Sequence, residues 1–214
     1  MKVLILGGGG HAQVIADALL CMVERSEKID IVGYLDDNLN LEGRVLRGGS
    51  IIGRLNELNQ IEHDAVVIAI GHNSTRMNIF NKLQDRGASF ITVIHPSAVI
   101  AHDVTIGKGT VIFAGTVINT GSVIGSNVII NTGATVDHHA NIGAHAHIAP
   151  GVHLGGTVTV GEGAFLGIGS NVLPNLTIGN WSTIGAGAVV VNDIPAAVTA
   201  VGIPARVIKN GLNQ

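Results

Sequence analysis

Aliphatic residues in the second half of the chain keep a strict six-residue period. From Ile94 the series runs Ile100, Ile106, Ile112, Ile118, Ile124, Ile130, Val136, Ile142, Ile148, Leu154, Val160, Leu166, Val172, Ile178, Ile184 and Val190, with no member outside Ile, Leu and Val. The residue four places after each is Ser, Thr, Ala or Val, except at Leu176 and Ile194. Glycine often follows the aliphatic directly, as at Gly107, Gly125 and Gly143. A period of six fits no helix face. It fits short strands that point a large aliphatic and a small residue inward, joined by glycine-tolerant turns. Three such strands close a triangular coil, and coils stack at about 4.8 Å. The pattern predicts a parallel β-helix of hexapeptide repeats over 93–194, with 195–214 as a C-terminal tail.

Residues 1–92 follow another grammar. Lys2–Leu6 reads as a buried strand, followed by four glycines, His11, Ala12 and a helical stretch from Gln13 to Val23. A strand over 31–35 ends in Asp36-Asp37, and a strand over 66–70 leads through Gly71-His72-Asn73 into a helix around 75–86. A short strand over 90–93 then enters the repeats. Strand, helix and strand with these glycines predict a βαβ unit on a parallel sheet, a small Rossmann-like domain. Gly7-x-Gly9-x-x-Ala12 matches the fingerprint in which N–H groups at a helix start receive phosphate oxygens. Asp36 stands where an acid could bond a ribose or a base edge. Three or four strands are half of a dinucleotide sheet, so the domain is sized for a mononucleotide or a nucleotide-sugar. The bland alternative is that the glycines only make a tight turn.

Composition narrows the classes. Charged residues are 13% of the chain and the formal net charge is −3, which leaves no basic patch for nucleic acid. Mean hydropathy is +0.45, but polar residues and glycines interrupt every apolar run before the ~18 residues of a spanning helix. The apolar start runs straight into glycines rather than into a signal-peptide pattern. A single cysteine, Cys21, excludes an internal disulfide and fits a reducing compartment. These features predict a protein of the cytoplasm without a membrane span.

Chemistry should sit where the repeats stop being bland. Between Lys108 and Asp193 the only acids are Asp137 and Glu162, and Asp137 adjoins His138-His139, with His145, His147 and His153 following. Histidine takes a proton near neutrality without a large pKa shift. A metal is not expected. Column neighbours are 18 residues apart, and His102 and His138, which share a column, are two coils or roughly 9.6 Å apart, too far for one zinc. A metal between subunits, as in the β-helical carbonic anhydrases, would by resemblance to that family want a third histidine at 143, which is Gly. For His145 and His153 the expectation is a solvated surface position.

GGGGHAQV, YLDDN and AIGHN, then the run from NTGATVDHHANIGAHAH to PNLTIG and a closing VGIPARVIK, resemble the sialic-acid acyltransferase-like group of hexapeptide-repeat acyltransferases. Within it, the chain is similar to the nucleotide-sugar 4-amino N-acetyltransferases of the bacillosamine, viosamine and perosamine type. The resemblance covers nearly the whole chain and implies a left-handed β-helix. It also implies acetyl-CoA as co-substrate, a nucleotide-linked 4-amino-4,6-dideoxy sugar (UDP foremost) as acceptor, and a homotrimer with the cofactor between neighbours. Carried over by position, His138 is the general base, with Asp137 and His139 beside it. His147, Gly156, Ile168, Gly185 and Ala186 hold acetyl-CoA. Gly9, Gly10 and His11 face phosphate, while Asp36 and Asp37 lie near base and ribose. One departure stands out: the residue after the catalytic histidine is usually an acid and here is His139. The alternative is O-acetylation of a sugar of the sialic acid type. From other classes come a nucleotide-sensing scaffold, since a solenoid need carry no active site, and a metal-dependent hydratase.

Overall fold

The computed structural model describes residues 1–211, and these separate into two compact units that divide after Pro96. The first is an α/β layer structure. Its elements in chain order are β1 (Lys2–Leu6), α1 (Gly10–Glu24), β2 (Asp30–Leu35), β3 (Val45–Leu46), β4 (Gly49–Gly53), β5 (Ala65–Ile68), α2 (Asn73–Gln84) and β6 (Val93–Ile94). The sheet order is β3-β4-β2-β1-β5, parallel except for the β3–β4 pair. The interior strand β1, between β2 and β5, is apolar throughout its buried part because both of its faces are covered. Leu4 and Leu6 join Leu35, Leu58, Val66, Ile68, Phe80 and Leu83 in one cluster.

Two features depart from the sequence expectation. The β3–β4 hairpin was not foreseen, because its turn at Gly48, with φ +78, joins strands of only two and five residues. Phe90 makes a single parallel bridge to Val66 instead of starting a strand.

The second unit is a parallel β-helix of the left-handed hexapeptide class. Two-residue strands pair with strands one coil on, 18 residues later, as in Val117↔Thr135, Val123↔Asn141 and Ile129↔His147, until the last coil, where Thr183 pairs with Thr199. The three faces begin with the strands Val99–Ile100, Thr105–Ile106 and Val111–Ile112. From Ile112 to Ile184 every periodic aliphatic is at most 3% exposed, which makes one continuous apolar axis. The small inward residues complete it, and buried hydroxyls among them bond to carbonyls of the next coil: Thr110 to Gly125 (2.8 Å) and Ser122 to Asp137 (3.0 Å). Residues 195–211 are not a plain tail. Strands Val198–Val201 and Arg206–Asn210 form an antiparallel hairpin that extends one face.

The glycines after each aliphatic have a different cause from the one the pattern suggested. The turn residue with positive φ is two places further on, and from Gly109 to Gly187 it recurs every six residues. Asn127, His139, His145, Thr157, Asn175 and Trp181 occupy it where glycine does not. Glycine directly after the aliphatic is needed because the next coil lies against it. A Cβ on Gly125 would stand 2.6 Å from the backbone nitrogen of Ala144, and one on Gly143 2.6 Å from that of Glu162.

Candidate active site

His138 and His139 occupy the corner between the face carrying Thr135–Val136 and the face carrying Asn141–Ile142. The turn directs residues 137–139 away from the axis, while Val136 and Ala140 on either side are buried in it. His139 takes the left-handed backbone conformation at φ +57. Its ring lies over Gly121, one coil earlier, where a Cβ would be 2.6 Å from the imidazole. The ring of His138 lies against Gly156, one coil later, where a Cβ would be 2.5 Å from both Cε1 and Nε2. Each histidine therefore needs a glycine in the neighbouring coil. The two rings meet edge to face, with Nδ1 of His138 3.1 Å from Nδ1 of His139.

Asp137 serves the backbone of this corner. Its Oδ1 accepts from the Asn119 side-chain amide (2.8 Å) and from the backbone N–H of His138 (2.8 Å). The Asn119 bond and then the His138 N–H hold its carboxyl below the usual carboxylate range. Asp103, absent from the sequence-based set, accepts from the Thr120 hydroxyl (2.7 Å) and the Gly121 N–H (3.0 Å). Both Asp103 and Asn119 were within reach of the sequence. Asp103 stands 18 residues before Gly121, and Asn119 stands 18 before Asp137, so each shares a column with a partner.

The other histidines separate. His147 lies on the third face, its ring edge-on to Phe165 one coil later at 5.2 Å between centroids. His145 corrects the sequence reading: it is 7% exposed, with Nδ1 2.8 Å from the Asn127 side-chain amide. His153 is exposed and contacts Thr135. Of the residues expected to hold acetyl-CoA, Gly156 adjoins His138. Ile168 (61% exposed), Gly185 and Ala186 sit at the opposite edge of the face between them, where the third face turns into the first. A single chain does not gather the whole set. Among the described residues no group of three or more metal-ligating side chains occurs, and no helix is long and apolar enough to cross a membrane.

In the first unit the four glycines divide into two pairs. Gly7 has φ +120 and would place a Cβ 2.8 Å from the Ala69 carbonyl, and Gly8 would place one 2.6 Å from Ile51. The fold requires Gly7, while at Gly8 the nearest atom is the Cδ1 end of the Ile51 side chain. Gly9 and Gly10 are exposed, with no atom within 4 Å of a Cβ, and Gly9 caps α1 without a side-chain bond. Their N–H groups are open at the positive end of the helix. Asp36 ties this loop to the end of β2, accepting from Gly8 N–H (2.6 Å) and Asn38 N–H (2.8 Å), and Asp37 accepts from Leu55 N–H (3.0 Å).

His11 is pushed down to about 4, first by burial and then by the charge of Arg76, so it is neutral at pH 7. Arg76 is 1% exposed and donates to the Ile70 and Gly71 carbonyls (3.1 Å each) and to Asn73 (2.9 Å). A cavity of about 670 Å³ opens between α2 and the short 3-10 helix Leu55–Gln60. Leu6, Leu58 and Leu83 line it with Arg54, Lys82, Arg86 and Asp37.

Residues 2–83 match the PglD N-terminal domain, and 157–192 match the bacterial transferase hexapeptide (six repeats). Perosamine N-acetyltransferase PerB from Caulobacter crescentus, solved with CoA and GDP-perosamine, is 40% identical over 97% of both chains at a TM-score of 0.88. The acetyltransferase domain of PglB from Neisseria gonorrhoeae, solved with acetyl coenzyme A, is 36% identical over 97% of this chain and 98% of that one, at 0.89. UDP-N-acetylbacillosamine N-acetyltransferase of Bacillus subtilis is 38% identical over 117 residues, 52% of this chain. The match spans about half the length of that relative.

Proposed function

The chain belongs to the hexapeptide-repeat nucleotide-sugar N-acetyltransferases with a PglD-type N-terminal domain, and from that premise we propose that it moves an acetyl group from acetyl-CoA to the 4-amino group of a nucleotide-linked 4-amino-4,6-dideoxy sugar. The observation that carries this reading is the His138 imidazole, with Nδ1 engaged by His139 and the Nε2 edge directed onto Gly156. An ammonium has no lone pair, so the sugar amine must lose a proton before or during attack on the thioester. His138 at Nε2 is the acceptor. The amine then attacks directly, and no acyl-enzyme is needed; holding both substrates in line supplies much of the rate. Backbone N–H groups of the coil stabilise the developing oxyanion.

The nucleotide end belongs to the first unit. Gly9 and Gly10 offer open N–H groups to the diphosphate, and neutral His11 beside the buried Arg76 cation adds a polar contact in a positive field. Asp36 and Asp37 follow at the end of β2, toward ribose and base. We place UDP first as carrier and GDP second. The active unit is a homotrimer, because His138 and Gly156 lie at one edge of a face and Ile168, Gly185 and Ala186 at the other. Two copies meeting edge to edge would complete one cofactor cleft. Both substrates are compatible with the cytoplasm.

The test is release of free CoA against a panel of UDP-, dTDP- and GDP-linked 4-amino sugars, with hydroxyl acceptors in parallel. Turnover with an amine and none with the matched hydroxyl is expected. Turnover only with hydroxyl acceptors would replace N- by O-acetylation. Light scattering of the active protein should give three copies, and a monomer at active concentrations would remove the shared cleft.

A further inference from the structure

An imidazole accepts a proton at Nε2 only while its own proton sits on Nδ1, so the partner of Nδ1 decides whether His138 can serve. That partner is a second imidazole, His139, at 3.1 Å. Of two facing nitrogens one must donate and the other accept, and the bond alone leaves the direction open. The coil below supplies it. The far edge of His139 rests on Gly121, where a Cβ would be 2.9 Å from Nε2. The N–H of that same glycine donates to Asp103. The Thr120 hydroxyl first, then the Gly121 N–H, keep the Asp103 carboxyl below its ordinary range, and the His139 ring acts in the same direction. Asp103 is therefore an anion bonded to the N–H of the glycine that the Nε2 edge of His139 covers, without a direct hydrogen bond to that ring. Few other titratable groups face the pair. Asp137 lies beside His138, with Oδ1 held by Asn119 and the backbone, and His102 lies two coils below it. The coil after the pair presents Gly155, Gly156 and Thr157.

We propose that Asp103 and His139 are positioning residues that fix the tautomer of His138. The Asp103 carboxylate favours the His139 proton on Nε2, and Nδ1 of His139 is left to accept. His138 then donates from Nδ1, and its Nε2 lone pair faces Gly156. The inference rests on the acetyl-transfer reading and adds to it the control of the base. In the reaction the amine proton passes to His138 Nε2 as the N–C bond forms. The C–S bond then breaks with its electron pair on the CoA sulfur, which takes that proton, and His138 returns to its starting form. A neutral His139 stabilises the intervening imidazolium less than a carboxylate in its place would.

The experiment has two arms. In the first, the protein labelled with ¹⁵N-histidine is examined by long-range ¹H–¹⁵N correlation in the resting state. His138 is expected to carry its proton on Nδ1 and His139 on Nε2, with a coupling across the Nδ1–H···Nδ1 bond. Asp103→Asn should remove the Nε2 preference of His139. His138 protonated on Nε2 in the unmodified protein would overturn the proposal, and an unchanged His139 in Asp103→Asn would take Asp103 out of it.

The second arm is kinetic. His139→Gly deletes the ring at a backbone φ that suits glycine. It should lower kcat roughly tenfold to a hundredfold, less than loss of the base itself, and leave the acetyl-CoA KM unchanged. His139→Asp should recover most of the rate and move the acid limb of the kcat profile to higher pH, because an anion beside Nδ1 favours the imidazolium. An unchanged kcat in His139→Gly, or an acid limb that stays put in His139→Asp, would overturn the proposal. The resonance arm reads the tautomers whether or not acetyl is transferred. Absence of CoA release from every 4-amino sugar would defeat the functional reading alone.

Discussion

Gly9 and Gly125 each follow a run of aliphatic residues, and each lies beside a further glycine or serine, yet the two are glycine for opposite reasons. Gly125 is enclosed: a Cβ there would stand 2.6 Å from the backbone of the next coil. Gly9 has no atom within 4 Å of where a Cβ would stand and an ordinary negative φ of −82. The first is a packing requirement and the second leaves backbone N–H groups accessible. The contrast extends to the units that contain them. In the solenoid each residue is positioned by the residues 18 before and 18 after it, so side chains line up in ladders such as Asn119–Asp137 and Asn127–His145. In the α/β unit positions are set by long-range pairing and by carboxylates that cap loops, Asp36 on Gly8 and Asp37 on Leu55. The solenoid corner can thus present a base at fixed geometry, while the glycine loop presents a flexible-ligand contact made of backbone.

The largest difference expected between the units is catalytic. His138→Ala removes the proton acceptor and keeps the coil, so kcat at pH 7 should fall by roughly 10²–10⁴ with little change in the acetyl-CoA KM. Higher pH should restore part of the rate by supplying free amine. Loss of the acetyl-CoA KM instead, measured by initial rates, would make His138 a binding residue.

Acid should separate the units next. Buried His11 resists protonation until about pH 4, whereas the unfolded chain takes up that proton below 6.5. Stability of the first unit therefore falls as pH drops from about 6.5 to about 4, by on the order of 2–3 kcal/mol. The lowered acids of the solenoid, Asp103 and Asp137, act in the same direction but in a lower window: their contribution is intact above about 3.8 and is lost only below it. The chain carries one tyrosine, Tyr34, fully buried in the first unit, and one tryptophan, Trp181, in the second. Near-ultraviolet tyrosine signal should be lost at a higher pH than the tryptophan emission shift. Coincident transitions would contradict the assignment.

The smallest effects concern the glycines themselves. Gly125→Ala should cost about 1–3 kcal/mol of stability in thermal melts, because the added methyl meets backbone that has little room to shift. Its KM values should stay as they were. Gly9→Ala should leave the melting temperature unchanged, since nothing lies within reach of the new methyl.

The solenoid was almost wholly legible because every hexad repeats one environment, and a six-residue frame without insertions fixes which side chains face inward. The same frame placed the His138 corner. It did not disclose that glycine after the aliphatic answers to the coil above, since contact across 19 residues is invisible in a local pattern. The partner of His138 was legible by position only. His139 was known to stand beside it, but the Nδ1–Nδ1 contact depends on a left-handed turn residue and on two ring orientations. In the α/β unit the β3–β4 hairpin was missed because β3, at two residues, has no periodicity to read.

Nucleotide binding measured at equilibrium tests the division between the two units most directly. A nucleoside diphosphate from the carrier that supports turnover, titrated without CoA, should bind His138→Ala as tightly as the unmodified protein. It should bind Gly9→Val about tenfold or more weakly, because the branched side chain covers the open N–H groups at the start of α1. Equal binding by all three proteins, or a loss confined to His138→Ala, would contradict the account.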